Sequence, residues 1–359
     1  MRPTSATVRL DAIVDNFRLA DQLAPASKSI AVIKANAYGH GLLKVAQALE
    51  AGVPAFAVAF IDEAVQLRDA GIRKPILVLQ GATRTADILD AAANDFWLLL
   101  HHQEQIEWVL SSGPSDPVNV WLKLDTGMHR LGLAPEALDK IYGDLVSSPN
   151  VQQGMVLCTH LACADDMTNP MTSQQVSSIQ SVSTKHELAM SIANSAGILC
   201  WPETHAEWNR PGYMLYGNSP MVPIGDDSRG LKPAMSMNSE IIAIRDVKAG
   251  QGVGYGIDWV AGRHSKIGTV AIGYGDGYPR HAPSGTPLLV GGQRVPLAGK
   301  VSMDAISVDL TDIENVEVGD PVELWGQSLS VNEVAVAAGT IGYEILAGLT
   351  GRVPLLYQP

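Results

Sequence analysis

Between residues 28 and 217, short apolar runs alternate with amphipathic stretches. That rhythm limits the folds open to the chain more than any single motif does. The apolar runs are 29–34, 55–60, 75–80, 96–101, 118–125, 155–160, 189–193 and 206–208. Helical patterns fill most of the gaps, at 42–51, 61–70, 85–93, 102–110, 135–147 and 171–186. Runs without polar alternation suit strands buried on both faces of a parallel sheet. Eight such units predict an α/β fold with an N-terminal TIM (β/α)8 barrel over 10–225. A doubly wound open sheet is the alternative, and the lack of a GxGxxG turn argues against it.

After residues 221–233 (MVPIGDDSRGLKP), a linker rich in Pro, Gly and Asp, the texture changes. Short segments at 239–245, 266–272, 287–290, 306–310 and 322–325 are separated by glycine-containing turns, as in an antiparallel sheet. One helix, 331–338, is opened by Ser330 with Glu333 three residues on, the pattern of a capping box. The expected second domain is therefore a C-terminal, mainly antiparallel β domain over 226–359. The run 6–10 can pair in either half; strand 1–9 is assigned to the second domain.

Composition narrows the function. The 359 residues carry 37 acidic and 25 basic side chains, a net charge of −12, with no Lys/Arg cluster. Nucleic-acid binding is excluded on that ground, since phosphate backbones demand basic stripes. Cys158, Cys163 and Cys200 form no CxxC pair and are odd in number. That excludes a disulfide scaffold and a zinc ribbon and fits a reducing compartment. With no basic-then-apolar signal segment and no apolar run of about 18 residues, a cytoplasmic enzyme without membrane association is expected.

Functional residues of such barrels sit at the C-terminal ends of strands. The first run ends in Lys34, where partial desolvation lowers an ammonium pKa and frees the amine as a nucleophile. The same position also suits a lysine that snorkels from a strand end. The fifth run ends with Lys123 and Asp125 on one side of the strand. Arg130 follows a glycine turn and can hold a carboxylate or phenolate by two parallel bonds; a surface ion pair is the plainer reading. His160 closes the sixth run as an acid/base group, a ligand or a ring stacked on an aromatic cofactor. No second His stands at metal spacing, so no metal is expected. Ser195 follows the seventh run; Arg210, Gly212 and Tyr213 follow the eighth, where barrels often bind phosphate. A reactive lysine opposite a phosphate cradle points to pyridoxal 5′-phosphate. In the second half, the glycine-flanked clusters 252–256, 272–278 and 300–304 read singly as turns.

Ten stretches then carry a family resemblance: IKANAYGHG (33–41), KLDTGMHRLG (123–132), THLACADD (159–166), ANSAG (193–197), RPGYMLYG (210–217), VGYG (253–256), AIGYGDGYPR (271–280), KVSMD (300–304), GDPVELWG (319–326) and GTIGYEIL (339–346). In this order they resemble the alanine racemases, barrel-type pyridoxal-phosphate enzymes of fold type III, over nearly the whole chain. The resemblance implies interconversion of L- and D-alanine, supplying D-alanine for peptidoglycan or catabolising it, by a head-to-tail homodimer. It implies that Lys34 holds the cofactor and serves as base on one face of the substrate, with Tyr255 of the other subunit on the opposite face. Arg130 and the Met303 backbone would bind the substrate carboxylate, with Asp304 alongside. His160 would lie beside the pyridine ring and Arg210 at its nitrogen. Tyr38, Ser195, Gly212, Tyr213 (by backbone) and Tyr343 (by hydroxyl) would bind the phosphate. Tyr274 would gate the substrate channel. Lys123 matches a lysine that is carbamylated in many members, whose negative charge would steady Arg130.

Three positions depart from the family's common pattern. Ser191 stands where His often backs the pyridine-partner Arg, which shortens the support behind Arg210. Lys300 replaces Arg, keeping charge but losing bidentate geometry. Ala347 replaces Cys. Lysine and tyrosine, with ordinary pKa values near 10.4 and 10, both need lowering to act as bases at neutral pH. For Tyr255 the expected source is the bound cofactor together with cationic neighbours His160 and Arg210. A racemase of serine or of broad specificity is the nearest alternative, since one hydroxyl is a small difference to reject. A barrel-type decarboxylase would carry a glycine-run phosphate loop and a Cys-centred motif, and neither is present. A non-catalytic carrier of the cofactor would need neither Tyr255 nor a substrate-binding Arg130.

Overall fold

The structure is a computed structural model and describes residues 3–221 and 230–359. Most of the expected linker, and with it the boundary at 225/226, lies outside the described residues. Eight parallel strands close a barrel in chain order: Lys28–Val32, Ala55–Val58, Ile76–Val78, Phe96–Leu100, Asn119–Lys123, Val156–Cys158, Ala189–Ser191 and Trp208–Asn209. The first pairs with the eighth through Ser29 and Asn209, which seals the ring.

Alternate strand residues fill the barrel interior. Ile30, Val32, Ala57, Leu77, Leu99 and Trp121 belong to one buried cluster, separate from the larger core outside the strands. Trp121, Trp97 and Trp208 meet with ring centroids 5.7–6.0 Å apart, and Lys28 Nζ lies 5.1 Å from the centre of the Trp208 ring. These residues plug the end at which the strands begin. Large side chains there leave the opposite end, where the strands finish, open for chemistry.

The N-terminal strand Ser5–Arg9 joins the second sheet. It pairs antiparallel with Met235–Val247 and parallel with Leu355–Gln358. Met235–Val247 is the spine of that sheet, pairing also with Pro321–Trp325 and Ser265–Val270. The helix Leu10–Leu23 then crosses to the barrel, burying Ala12, Ile13, Phe17 and Ala20. Two late helices, Val331–Ala338 and Gly342–Ala347, return to the barrel mouth. Bare glycines let them approach: a Cβ on Gly342 would fall 1.9 Å from the Tyr213 hydroxyl, and one on Gly39 would fall 2.0 Å from the Leu346 carbonyl. Ser330 caps the first of these helices by accepting Asn332 N–H. No described helix is long and apolar enough to cross a membrane.

Candidate active site

The chain leaves the first barrel strand through an unusual turn. Ala35, Asn36, Ala37 and Tyr38 all have φ between 50 and 54°, a left-handed helical turn without glycine. The sequence gives no sign of it beyond Gly39 and Gly41. Such a conformation costs roughly 1–2 kcal/mol per residue, so it persists only where the surroundings hold it. They do so here. Glu63 Oε1 accepts Ala35 N–H at 2.7 Å, and Asn36 Oδ1 accepts Leu42 N–H at 2.8 Å. The buried His40 ring points Nδ1 at the carbonyls of Tyr38 and Ala37, at 2.9 and 3.2 Å, and packs 4.4 Å from the Tyr216 ring. The turn delivers both Lys34 and Tyr38 to one cavity of about 410 Å³ at the barrel mouth.

Ten of the residues singled out from the sequence line that cavity: Lys34, Tyr38, Lys123, Arg130, His160, Ser195, Arg210, Gly212, Tyr213 and Tyr343. Burial, reinforced by Arg130 and Arg210, lowers the pKa of Lys34, with Glu63 acting in the opposite sense. Lys123 is pushed down to about 8 by burial and by Arg210, Arg130 and Lys34. His160 is held well below its ordinary value by burial first and then by Arg210, Lys123, Arg130 and Lys34. The cationic His160 expected from the sequence is therefore corrected to a neutral imidazole. Four nearby cations and the loss of water leave no place for a fifth charge.

Arg210 is fixed by three bonds. Nη1 donates to Ser191 Oγ at 2.6 Å; Nη2 donates to the carbonyls of Thr159 at 2.6 Å and Ile192 at 3.3 Å. The Ser191 departure thus leaves Arg210 supported, by a shorter side chain at direct hydrogen-bond distance. Ser195 Oγ accepts N–H from Gly212 at 3.0 Å and from Met214 at 3.2 Å, tying the loops after the seventh and eighth strands together. Asn194 caps the short helix Ser195–Cys200 by accepting Gly197 N–H. A Cβ on Gly212 would lie 2.9 Å from the Tyr38 hydroxyl. Tyr213 spends its own hydroxyl on Asn332 Oδ1, leaving its backbone for the cavity, and stacks on Tyr343 with centroids 3.7 Å apart. Hydroxyls of Tyr38, Ser195 and Tyr343 beside a bare glycine make a cradle of neutral donors, which fits a phosphate monoester. Arg210 Nε–H has no partner among the described residues and fits a ring nitrogen.

Tyr255, Tyr274, Met303 and Asp304 do not line the cavity. They lie on the second sheet's exposed loops; Tyr255 is 69% and Met303 52% exposed. Tyr255 opens a tight turn with Gly254, Gly256 and Ile257 at positive φ, the last an uncommon conformation for a β-branched residue. Lys300 pairs with Asp258 beneath this turn at 2.9 Å, and Asp304 pairs with Arg352. Ala347 lines the cavity, as does Cys158 beside Lys123. Sequence reasoning missed Glu63 and Gln175, which act on backbone atoms of other loops. No group of three His, Cys, Asp or Glu side chains is arranged to hold a metal among the described residues.

Comparison with known proteins agrees with this geometry across both halves. Residues 8–220 match the alanine racemase N-terminal domain family and residues 234–357 the alanine racemase C-terminal domain family. An alanine racemase of Chromohalobacter salexigens is 47% identical, over 99% of this chain and 98% of that one. The crystal structure of the biosynthetic alanine racemase from Pseudomonas aeruginosa is 48% identical and covers both chains fully, with a TM-score of 0.96. The alanine racemase of Bartonella henselae, solved with covalently bound pyridoxal phosphate, is 31% identical with a TM-score of 0.90 over the full length of both chains. A closed barrel, a mouth cavity with a deprotonation-prone lysine, and matches spanning both halves place this chain in the alanine racemase family.

Proposed function

We propose that the chain interconverts L- and D-alanine with pyridoxal 5′-phosphate held in the barrel-mouth cavity, as a head-to-tail homodimer. The observation that carries this reading is the convergence, in one cavity, of a lysine with a lowered pKa, a neutral phosphate cradle and a fixed guanidinium. Lys34 would hold the cofactor's aldehyde carbon; Tyr38, Ser195, Gly212, Tyr213 and Tyr343 its phosphate. When bound, the cofactor supplies the electron sink that acidifies the substrate's α-proton.

The protein's residues decide the outcome. Lys34 Nζ, deprotonated more readily than an exposed lysine, takes or returns the α-proton on one face. Tyr255 of the partner subunit does the same on the other face, which accounts for its exposure on an isolated chain. Arg130 and the Met303 backbone of the partner subunit orient the carboxylate, Asp304 stands beside them, and Tyr274 gates the approach. Arg210 is a donor only, so a ring nitrogen facing it stays unprotonated. That weakens the electron sink and disfavours transamination. His160, its imidazole pKa held well down, would lie against the cofactor ring without adding charge. Lys123, pushed down to about 8, has an amine free enough to add to carbon dioxide, forming a carbamate and releasing a proton. The carbamate's charge would face Arg130.

The test is chiral chromatography after incubating purified, cofactor-loaded protein with L-alanine, L-serine or L-lysine. Fast D-alanine with slow D-serine is the expected result, and no D-isomer from any of them overturns the reading. Mixing Lys34→Ala and Tyr255→Ala chains should restore activity through one intact hybrid site. No recovery after verified subunit exchange would place both bases in one chain.

A further inference from the structure

We infer that Gln175 is a positioning residue that sets Arg210 and His160 through a directed chain of hydrogen bonds. The inference rests on the proposed roles of those two residues. Gln175 lies on the helix Met171–His186, is fully buried and touches no reacting group. Its Oε1 accepts Ala162 N–H at 2.9 Å, which fixes the orientation of the amide. Its Nε2 then donates to the His160 carbonyl at 3.0 Å and to Thr126 Oγ1 at 3.1 Å.

The direction of the remaining bonds follows. Thr159 Oγ1 lies 3.2 Å from the Leu124 carbonyl, which can only accept, so the Thr159 hydroxyl proton is spent there. Thr126 Oγ1 lies 2.7 Å from Thr159 Oγ1 and must donate to it. Gln175 must in turn donate to Thr126. One proton per oxygen runs from Gln175 to Thr126, to Thr159, to Leu124. The chain ties the loop after the fifth strand, which presents Arg130, to the loop after the sixth, which presents His160. It also orients the residue whose carbonyl holds Arg210 Nη2 at 2.6 Å.

An amide suits this position because it offers one acceptor and two donors. A carboxylate in its place would accept from Ala162 N–H and draw the Thr126 hydroxyl toward itself. The two threonines would reverse, the Leu124 carbonyl would lose its donor, and the His160 carbonyl would face an anion. Gln175→Glu is thus a near-isosteric probe of bond direction, and Gln175→Leu removes all three bonds.

Three quantities decide the matter: the ratio of pyruvate formation to racemisation, KM for alanine, and the Kd of the apo chain for pyridoxal 5′-phosphate by fluorescence. Both variants should raise the ratio and weaken cofactor affinity, each roughly fivefold or more, with KM rising as well because the loop that presents Arg130 is untied. Thr126→Val, which removes one hydroxyl at constant volume, should move the ratio in the same direction by less, and serves if the Gln175 variants do not fold. A wild-type ratio and Kd in folded variants, even with lowered thermal stability, would reduce Gln175 to a structural residue and overturn the inference. Wild-type protein that fails to racemise alanine would instead overturn the proposed function.

Discussion

Replacing Glu63 by Gln should loosen the turn that carries Lys34 without unfolding the barrel. Four left-handed residues store strain of roughly 4–8 kcal/mol at 1–2 kcal/mol each. Glu63 opposes it with both oxygens: Oε1 takes Ala35 N–H and Oε2 takes Ala59 N–H, each at 2.7 Å. Glutamine has one acceptor, so its NH2 group must face one of those N–H groups. Losing one charge-assisted bond removes about 1.5–3 kcal/mol. At 1.4 kcal/mol per factor of ten, local opening should rise about ten- to hundredfold. Hydrogen exchange of peptides spanning 33–41 reads this directly, and protection in the strands Phe96–Leu100 and Asn119–Lys123 should stay unchanged. Because Glu63 also holds the Lys34 proton on, its neutralisation should move the acid limb of the activity profile to lower pH. Unchanged exchange at 33–41, or a rise spread evenly over the barrel, would refute the claim that Glu63 restrains the turn.

A methyl group added by Gly212→Ala must displace the Tyr38 hydroxyl, only 2.9 Å away; pyridoxal-phosphate affinity should fall about tenfold, in line with losing roughly 1.4 kcal/mol, while the urea midpoint barely moves. Trp121→Ala empties the plug at the closed end of the barrel and should destabilise by about 3–5 kcal/mol in urea titrations, with the mouth residues unaffected. Burial pushes the His40 imidazole down to about 4 from an ordinary 6.5. The unfolded chain therefore takes up a proton in a window where the folded chain does not. The contribution is full above pH 6.5 and is lost as the pH falls to about 4, a change of about 3 kcal/mol at 1.36 kcal/mol per unit. Urea midpoints of wild type and His40→Gln across that range should converge as the pH falls; parallel curves would rule the effect out.

The barrel was legible because a strand buried on both faces must be apolar throughout, and Phe96–Leu100 or Ala55–Val58 has no other explanation. The lysine, histidine and serine at strand ends were legible for a related reason: polar side chains closing apolar runs can reach only the barrel mouth. The left-handed turn was not legible, since Ala35 and Ala37 favour no such conformation in isolation, a single Asn marks at most one left-handed residue, and the run is held by Glu63 and the Asn36 side chain. Gln175 was hidden differently. It sits among Ser and Gln residues on a weakly amphipathic helix, and its partners are backbone and hydroxyl groups of two other loops. The N-terminal strand was ambiguous because its neighbours, Met235–Val247 and Leu355–Gln358, lie more than 200 residues away in sequence.

The electrostatics of the cavity link binding to basicity. Lys34, Lys123, Arg130 and Arg210 line it, and among the described residues no Asp or Glu does. Burial lowers Lys34, Lys123 and His160 first, and the neighbouring cations lower them further. Such a site attracts anions, and on the proposed reading two arrive: a phosphate in the cradle and a carboxylate at Arg130. Each partly cancels the field that lowered Lys34, and a lysine surrounded by less positive charge holds a proton more firmly. In the free site Lys34 therefore gives up its proton more readily than an exposed lysine, and it becomes a stronger base once the carboxylate is bound. The cationic lining draws the substrate in and then, partly neutralised by it, lets Lys34 take its proton.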